Sequence, residues 1–382
     1  MAAMPGLSRT APPLRVKLLF WLILASLSSY LAEGVSGAGL YPLLHPWWVL
    51  VCLPLYGLHI LVLATVIYRW GRARFPTLLL AGFVFGMYEA YLTKVVWSPT
   101  WGPSMLSLGG IATVETAVIS FFWHPILAFI IPVVIGERVF TRSRESWDFL
   151  PLQVQRVFRR GPAGFAGLVA LAVACGAFQS FNSPSPLQSV LSGVSSFGVL
   201  ALLFHAWFRL TRGRTWPMRD LLPGPTAFRI MLGLLLAIYI VFGIGMRREA
   251  LPGWGPQAIV WGIYAILFAL LFLSLRRSAR MTPTRGCDPE PFSWRAFLAV
   301  SLALTLTSAG LNFVPGNHVA WIVAFYWVFG TAGLALFLFA ARDALRPVSR
   351  TGAGPARPRR RKWPRARPPA PPPGRRRRPG SS

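Results

Sequence analysis

The chain has 382 residues, of which 54% are hydrophobic and 13% charged, with a formal net charge of +28. Soluble domains carry roughly a quarter charged residues, and the outer helices of a soluble bundle need polar faces that the long apolar runs of this chain lack, so a soluble globular domain is excluded. The three cysteines, Cys52, Cys175 and Cys287, are far apart and fit no metal-ligand spacing, so neither a metal nor a cofactor is expected.

The apolar runs predict an all-α, polytopic transmembrane bundle of about ten spans, over 16–32, 46–69, 75–97, 113–136, 163–181, 186–208, 227–246, 255–275, 292–313 and 318–341. Each is long enough to cross a hydrocarbon core of about 30 Å at about 1.5 Å per residue. Charge sets the threading. With the N-terminus in the cytoplasm, every Lys and Arg falls on the inner side except Lys94, Arg247 and Arg248, as the positive-inside rule requires. Inner loops such as "YRWGRARF" and "FRLTRGRTWPMRD" are basic, whereas the outer "LAEGVSGAGLYPLLH", "WSPTWGPSMLSLGG", "NSPSPLQ" and "NFVPGNH" have no Lys or Arg. Both termini are therefore expected inside. Trp47, Trp48, Trp97, Trp101 and Trp254 fall near outer span ends, where an aromatic belt forms.

The organisation read from this pattern is a short cytoplasmic N-terminus (1–15), four spans forming the candidate functional half (16–137), a basic cytoplasmic loop (138–162), six further spans (163–345) and a tail (346–382). The first span has the basic start and small downstream residues of a signal peptide, but an uncleaved first helix is the expected reading. Ten spans divide as five plus five, which would make any internal repeat inverted; no matching sequence supports one. The tail, "RPVSRTGAGPARPRRRKWPRARPPAPPPGRRRRPGSS", has no acid and almost no large apolar residue. It is expected to be disordered and to contact anionic lipid headgroups. It has no folded module or stacking platform for nucleic acid. The Arg-dominated composition suggests a GC-rich prokaryotic genome, hence the cell membrane of a bacterium or archaeon.

The third span contains "GMYEAYLTK", which puts Glu89 inside an apolar run. On a helix at about 100° per residue, Gly82, Gly86, Glu89 and Thr93 share an arc of about 60°. Gly82 and Gly86 form the G-x-x-x-G signature of close helix approach, so Glu89 is expected to point into the bundle. Lys94 is expected at the outer interface with its stem snorkelling.

The fourth span, "TVETAVISFFWHPILAFIIPVVIGE", carries a polar stripe of Thr113, Thr116, Ser120 and His124. Glu89 stands about 22 Å of helix rise above Arg74, and His124 about 20 Å above Glu137. The two share one level on adjacent antiparallel helices, which makes His124 the expected partner of Glu89. Pro125 is expected to leave the Phe121 carbonyl without its amide and to kink the helix. His59, about 15 Å above Arg69, shares a face with Cys52 and Tyr56 and reads as a satisfied core residue. An ionisable residue inside a span marks a functional site by default; the plainer reading is that Glu89 and His124 only hold helices together. Glu33 and Glu115 are expected at the outer surface as solvated carboxylates, His205 near the inner boundary, and His45 and His318 at outer span ends. In the second half, Ser189, Ser192 and Ser196 of span 6 and Thr305, Thr307, Ser308 and Asn312 of span 9 suit either helix packing or a polar lining.

The strings "SSYLAEGVSG", "LYGLHILVLATVIYRWGR", "LLLAGFVFGMYEAYLTKVVW" and "FFWHPILAFIIPVVIGE" resemble a family of prokaryotic multi-pass membrane proteins without an assigned activity, over residues 28–137. The resemblance implies a membrane protein and no reaction. Intramembrane CAAX-type proteases use a Glu-Glu pair, three residues and an Arg, with F-x-x-x-H elsewhere. Here "EAYLTK" keeps the spacing, but Ala90 stands for the second Glu, Lys94 for the Arg, and Ser120 for the Phe before His124. No H-E-x-x-H occurs. The expected function is that of a transporter or channel-like protein with an intramembrane Glu/His site. Its candidate residues are Glu89, His124, Lys94, His59, Thr93 and Ser120. The alternatives are a membrane-embedded enzyme using the same pair as general base and partner, or a scaffold without catalysis.

Overall fold

The computed structural model describes residues 11–158, 161–281, 291–314 and 325–346. The expectations for the tail, for Cys287, for His318 and for the start of the tenth span lie outside these residues. Nine helices among the described residues are long and apolar enough to cross a membrane. They are α1 (Leu14–Gly34), α2 (Trp48–Trp70), α4 (Thr113–Phe140), α5 (Pro162–Gln179), α6 (Pro186–Thr211), α7 (Pro225–Gly245), α8 (Trp254–Ser278), α9 (Trp294–Leu311) and α10 (Tyr326–Leu345). The apolar runs thus place the first eight of these helices to within a few residues, and the end of α10 to within four.

The third predicted span departs from the expectation of one helix over 75–97. It comprises α3 (Phe75–Gly86) and a single turn, Tyr88–Tyr91, separated at Met87. Beyond Leu92 the chain runs in turns, and Lys94 has a left-handed backbone, φ 61°. Pro76 stands in the first turn of α3, where its missing N–H is harmless. At the other end the Met87 carbonyl accepts the Tyr264 hydroxyl at 2.7 Å, a contact from α8 that occupies the broken segment. The connection to α4 contains a small hairpin, β1 (Ser107–Leu108) against β2 (Ile111–Ala112), with Leu108 opposite Ile111. Its turn is Gly109-Gly110, both at positive φ, as a two-residue hairpin turn requires.

α3 is the axis of the bundle. All its residues from Pro76 to Gly86 are buried, and α2, α4, α8 and α10 pack around it. The glycine face predicted for close approach is turned to α4. A Cβ on Gly82 would stand 2.7 Å from Pro125 Cα, and one on Gly86 would collide with the Ser120 backbone. α1 is equally interior: Phe20, Ile23 and Leu24 are fully buried, and Ser28 Oγ donates to the Ala128 carbonyl of α4 at 2.6 Å. α7 is the opposite case, burying only Leu235 and Gly243 while Ile240 and Val241 stand exposed. Such an apolar exterior belongs against lipid tails, which are as apolar as the side chains that face them.

The polar residues of the second half join helices. Ser189 Oγ of α6 meets Ser308 Oγ of α9 at 3.0 Å and Asn312 Nδ2 at 3.0 Å. Gly193 lies against the Thr305 side chain. Gln179 Nε2 donates to the Gly34 carbonyl at 2.9 Å, tying α5 to α1. At the basic end of the bundle the Arg74 guanidinium grips both carboxylate oxygens of Asp343 at 3.0 Å. Glu137 there is fully buried and accepts from Tyr68 Oη at 2.9 Å, from the amides of Glu145 and Ser146 at 3.0 and 2.7 Å, and from Ser146 Oγ.

Candidate functional site

α4 winds with i→i+5 hydrogen bonding from Thr116 to Ile130. Wide winding of this kind is rare, appears mostly as single turns, and clusters at functional sites. Shorter stretches occur at Tyr30–Gly34, which ends α1 and carries Glu33, and at Trp48–Cys52, which begins α2. The expectation for Pro125 changes accordingly. In the i→i+5 register, the carbonyl that lacks its amide is Ser120's and not Phe121's, because the acceptor lies one residue further back.

Within that winding His124 is buried, and its Nδ1 lies 3.0 Å from the Ile119 carbonyl. A carbonyl only accepts, so Nδ1 carries hydrogen and the neutral ring presents Nε2 as acceptor. Nε2 faces three groups: Tyr88 Oη at 3.0 Å, Tyr56 Oη at 3.1 Å and Glu89 Oε1 at 3.4 Å. The two phenols lie 2.7 Å apart, and Tyr56 Oη also donates to Glu33 Oε1. Thr93 Oγ1 donates to the other Glu89 oxygen, Oε2. The result is one continuous network, Glu33–Tyr56–(Tyr88)–His124–Glu89–Thr93, drawn from α1, α2, the broken third span and α4.

Counting protons defines the chemistry. The phenols supply two hydrogens, and Tyr56 commits its own to Glu33. With neutral His124 and two carboxylates, Tyr88 can satisfy Nε2, and Glu89 Oε1 then meets a lone pair. One further proton, on Nε2 or on Glu89, turns that contact into a charge-assisted or neutral hydrogen bond. The added proton can sit on either atom of this contact with the same heavy-atom positions. Low dielectric raises the stakes of such networks.

The structure brings Glu89, His124 and Thr93 together and leaves the other three sequence candidates outside. His59 is buried and satisfied: Nδ1 bonds the Leu55 carbonyl at 2.8 Å, Nε2 meets Tyr239 Oη at 3.0 Å, and the ring stacks on Phe85 at 4.7 Å. Ser120 lends its backbone to Gly86, and its buried hydroxyl has no hydrogen-bond partner. Lys94 overturns the snorkelling expectation. It is fully buried, and its ammonium holds the carbonyls of Tyr91 at 2.9 Å, Phe242 at 3.5 Å and Met246. The reason is that the helix ends three residues earlier, so the lysine folds back and caps α7. Arg247 completes this latch by donating to the Thr93 carbonyl at 2.7 Å. Two of the three cations expected on the outer side are thus bound to backbone oxygens.

Two carboxylates expected in water are not there. Glu115 is 1% exposed, and one of its oxygens accepts the Met105 amide at 3.0 Å. Glu33 is half-buried and belongs to the network. Glu33, Tyr56 and Tyr88 are the participants that sequence reasoning missed. The available signal was the shared face of Tyr56 and His59 and the proximity of Tyr88 to Glu89; what it lacked was the wide winding at Tyr30–Gly34 that brings Glu33 to Tyr56. Among the described residues no three His, Cys, Asp or Glu side chains converge as a metal-ligand set.

A protein of Archaeoglobus fulgidus described as an uncharacterized protein is 33% identical over 299 residues, spanning 77% of this chain and 90% of the relative. No solved structure matches the chain. The profile of an uncharacterized membrane protein family matches residues 22–350, a stretch that contains the whole network from Glu33 to His124. The chain, a multi-pass helical protein of the cell membrane, belongs to that uncharacterised membrane protein family.

Proposed function

We propose that the protein is a transporter in which Glu89 and His124 form a proton-carrying site. The observation behind this reading is the tethering of His124 Nδ1 to the Ile119 carbonyl, which aims Nε2 at Glu89 Oε1 and at two phenols. Ionisable residues in the interior of a membrane bundle are costly and recur as proton relays. A pair that only held helices together would need one proton state. This pair has two satisfied states, with the added proton on Nε2 or on the carboxyl, and both use the same heavy-atom positions. Glu89 and His124 also lie on segments packed through glycines, which fixes the donor–acceptor distance through the packing itself.

The test is proton flux in proteoliposomes loaded with a pH-sensitive dye, under an imposed pH gradient. Wild-type protein is expected to dissipate the gradient, and Glu89→Gln is expected to stop it while leaving the helical signal and the unfolding temperature near wild type. The amide keeps the carboxyl's shape and loses its titration. Flux through Glu89→Gln at the wild-type rate, or no wild-type flux above empty liposomes, overturns the reading.

A further inference from the structure

The network has two ends, and they differ in their surroundings. Glu89 is 6% exposed and His124 3%. Glu33 is the half-buried member. It sits in the last, widely wound turn of α1, where its own carbonyl accepts the Gly39 amide at 3.1 Å and Ser36 Oγ at 3.0 Å. The chain just beyond it opens to the exterior at Ala38, which is exposed. Its carboxylate has one hydrogen-bond partner in the interior, Tyr56 Oη. Tyr56 in turn lies within hydrogen-bonding reach of His124 Nε2 at 3.1 Å. Glu33 is thus a partly exposed residue whose carboxylate is bonded to a phenol that touches the buried imidazole, which places it between the end of α1 and the Glu89–His124 pair.

We propose that Glu33 is the port through which the buried pair loads and unloads its proton, and that Tyr56 is the bridge. This inference rests on the reading of Glu89 and His124 as a proton site and adds to it the side and route of access. The transfer balances without any further reactant. A proton arriving on Glu33 passes to Tyr56 Oη as Tyr56 passes its own hydrogen to His124 Nε2. Glu33 returns to carboxylate, Tyr56 stays neutral and His124 becomes imidazolium. Nε2–H then gives the proton to Glu89, restoring the neutral ring. Throughout, Nδ1–H remains on the Ile119 carbonyl, so the ring does not need to flip. Before each transfer Tyr56 turns its hydroxyl hydrogen from Glu33 to Nε2, which protonated Glu33, now the donor, permits; the hydrogen Tyr56 then receives already points to Glu33. Tyr88, within hydrogen-bonding reach of Tyr56 and Nε2 and beside Glu89, holds the geometry of this junction.

The inference is tested with Glu33→Gln and Tyr56→Phe in the same proteoliposome assay, beside wild type and Glu89→Gln. Both new variants are expected to slow proton flux by about a hundredfold, the low end of what loss of a positioned proton-transfer group costs. Tyr88→Phe is expected to retain most of it. If Glu33→Gln and Tyr56→Phe conduct like wild type while Glu89→Gln is silent, the port is overturned and the proton site stands. If Glu89→Gln conducts like wild type, the proton site itself fails. A measurement on unaltered protein covers the case in which Glu33→Gln does not fold. A water-soluble carbodiimide with a small amine, applied to folded wild type and located by peptide mass spectrometry, is expected to modify Glu33, spare Glu89 and stop flux. Glu33 modified with flux intact, or Glu33 resistant to the reagent, overturns the port.

Discussion

Gly82 and Pro125 touch backbone to backbone: a Cβ on the glycine would stand 2.7 Å from Pro125 Cα and 2.8 Å from Pro125 Cβ. Proline cannot donate a backbone hydrogen bond, and glycine has no side chain. The pair therefore lets α3 and α4 approach closely at Pro125, the residue next to His124.

Gly82→Ala is accordingly expected to force the two helices apart and to destabilise the protein by about 1–3 kcal/mol, the usual cost of overpacking. The Glu89–His124 distance should lengthen with it. Gly262→Ala on α8, where nothing lies within 4 Å, is the matched control and is expected to unfold at or slightly above the wild-type temperature. Equal unfolding temperatures for the two variants in detergent would contradict the close contact.

A second expectation concerns Glu137, whose carboxylate collects four hydrogen bonds from Tyr68, Glu145 and Ser146. Glu137→Ala removes every acceptor at once and leaves buried donors unpaired, at about 1–3 kcal/mol for each one that water does not reach. The segment 141–150 should then be cut by protease under conditions in which wild type is not. A wild-type cleavage pattern would mean that this carboxylate does not hold the loop.

Lys94 offers a separable case, because its backbone and its ammonium do different things. Lys94→Asn keeps a residue that accepts left-handed φ and removes the cation from the carbonyls of Tyr91, Phe242 and Met246. It is expected to cost about 1–3 kcal/mol and to loosen the end of α7, seen as faster amide exchange around residues 242–247. Lys94→Arg is not expected to rescue it, since a planar fork does not fit a site shaped for a compact ammonium. Wild-type exchange in Lys94→Asn would show that the cap is dispensable.

Sidedness remains an expectation of charge. Reporter fusions after residues 40, 105 and 250 should report the outside, and after residue 350 the inside, because all Lys and Arg but Lys94, Arg247 and Arg248 then face the cytoplasm. An outside report after residue 350 would require a different number of crossings.

The apolar runs made the helices legible, since length and hydropathy alone decide which segments can cross a membrane. They mark eight of them within a few residues, and the end of a ninth. The glycine spacing at 82 and 86 also made the facing of α3 legible, and with it the meeting of Glu89 and His124. Three features were hidden for physical reasons. The break at Met87 coincides with a contact from the Tyr264 hydroxyl, 177 residues away, which no local pattern encodes. The i→i+5 winding of α4 has the same apolar periodicity, to the eye, as an ordinary helix. Glu33 lies near a predicted span end, where a solvated carboxylate is the cheaper expectation; only the fold of α1 against α2 turns it inward.

The placement of α1 bears on how the protein must be made. A cleavage at the small residues 35–39, as for a signal peptide, would carry away Phe20, Ile23 and Leu24 from the middle of the bundle, together with Glu33. Tyr56 would lose its carboxylate partner, and Ala128 the hydroxyl that bonds its carbonyl. The partners of α1 lie on α2, which follows it directly, and on α4 and α6, which are made later. The buried face of α1, which includes polar Ser26, Ser28 and Ser29, is therefore completed only when α6 has been synthesised.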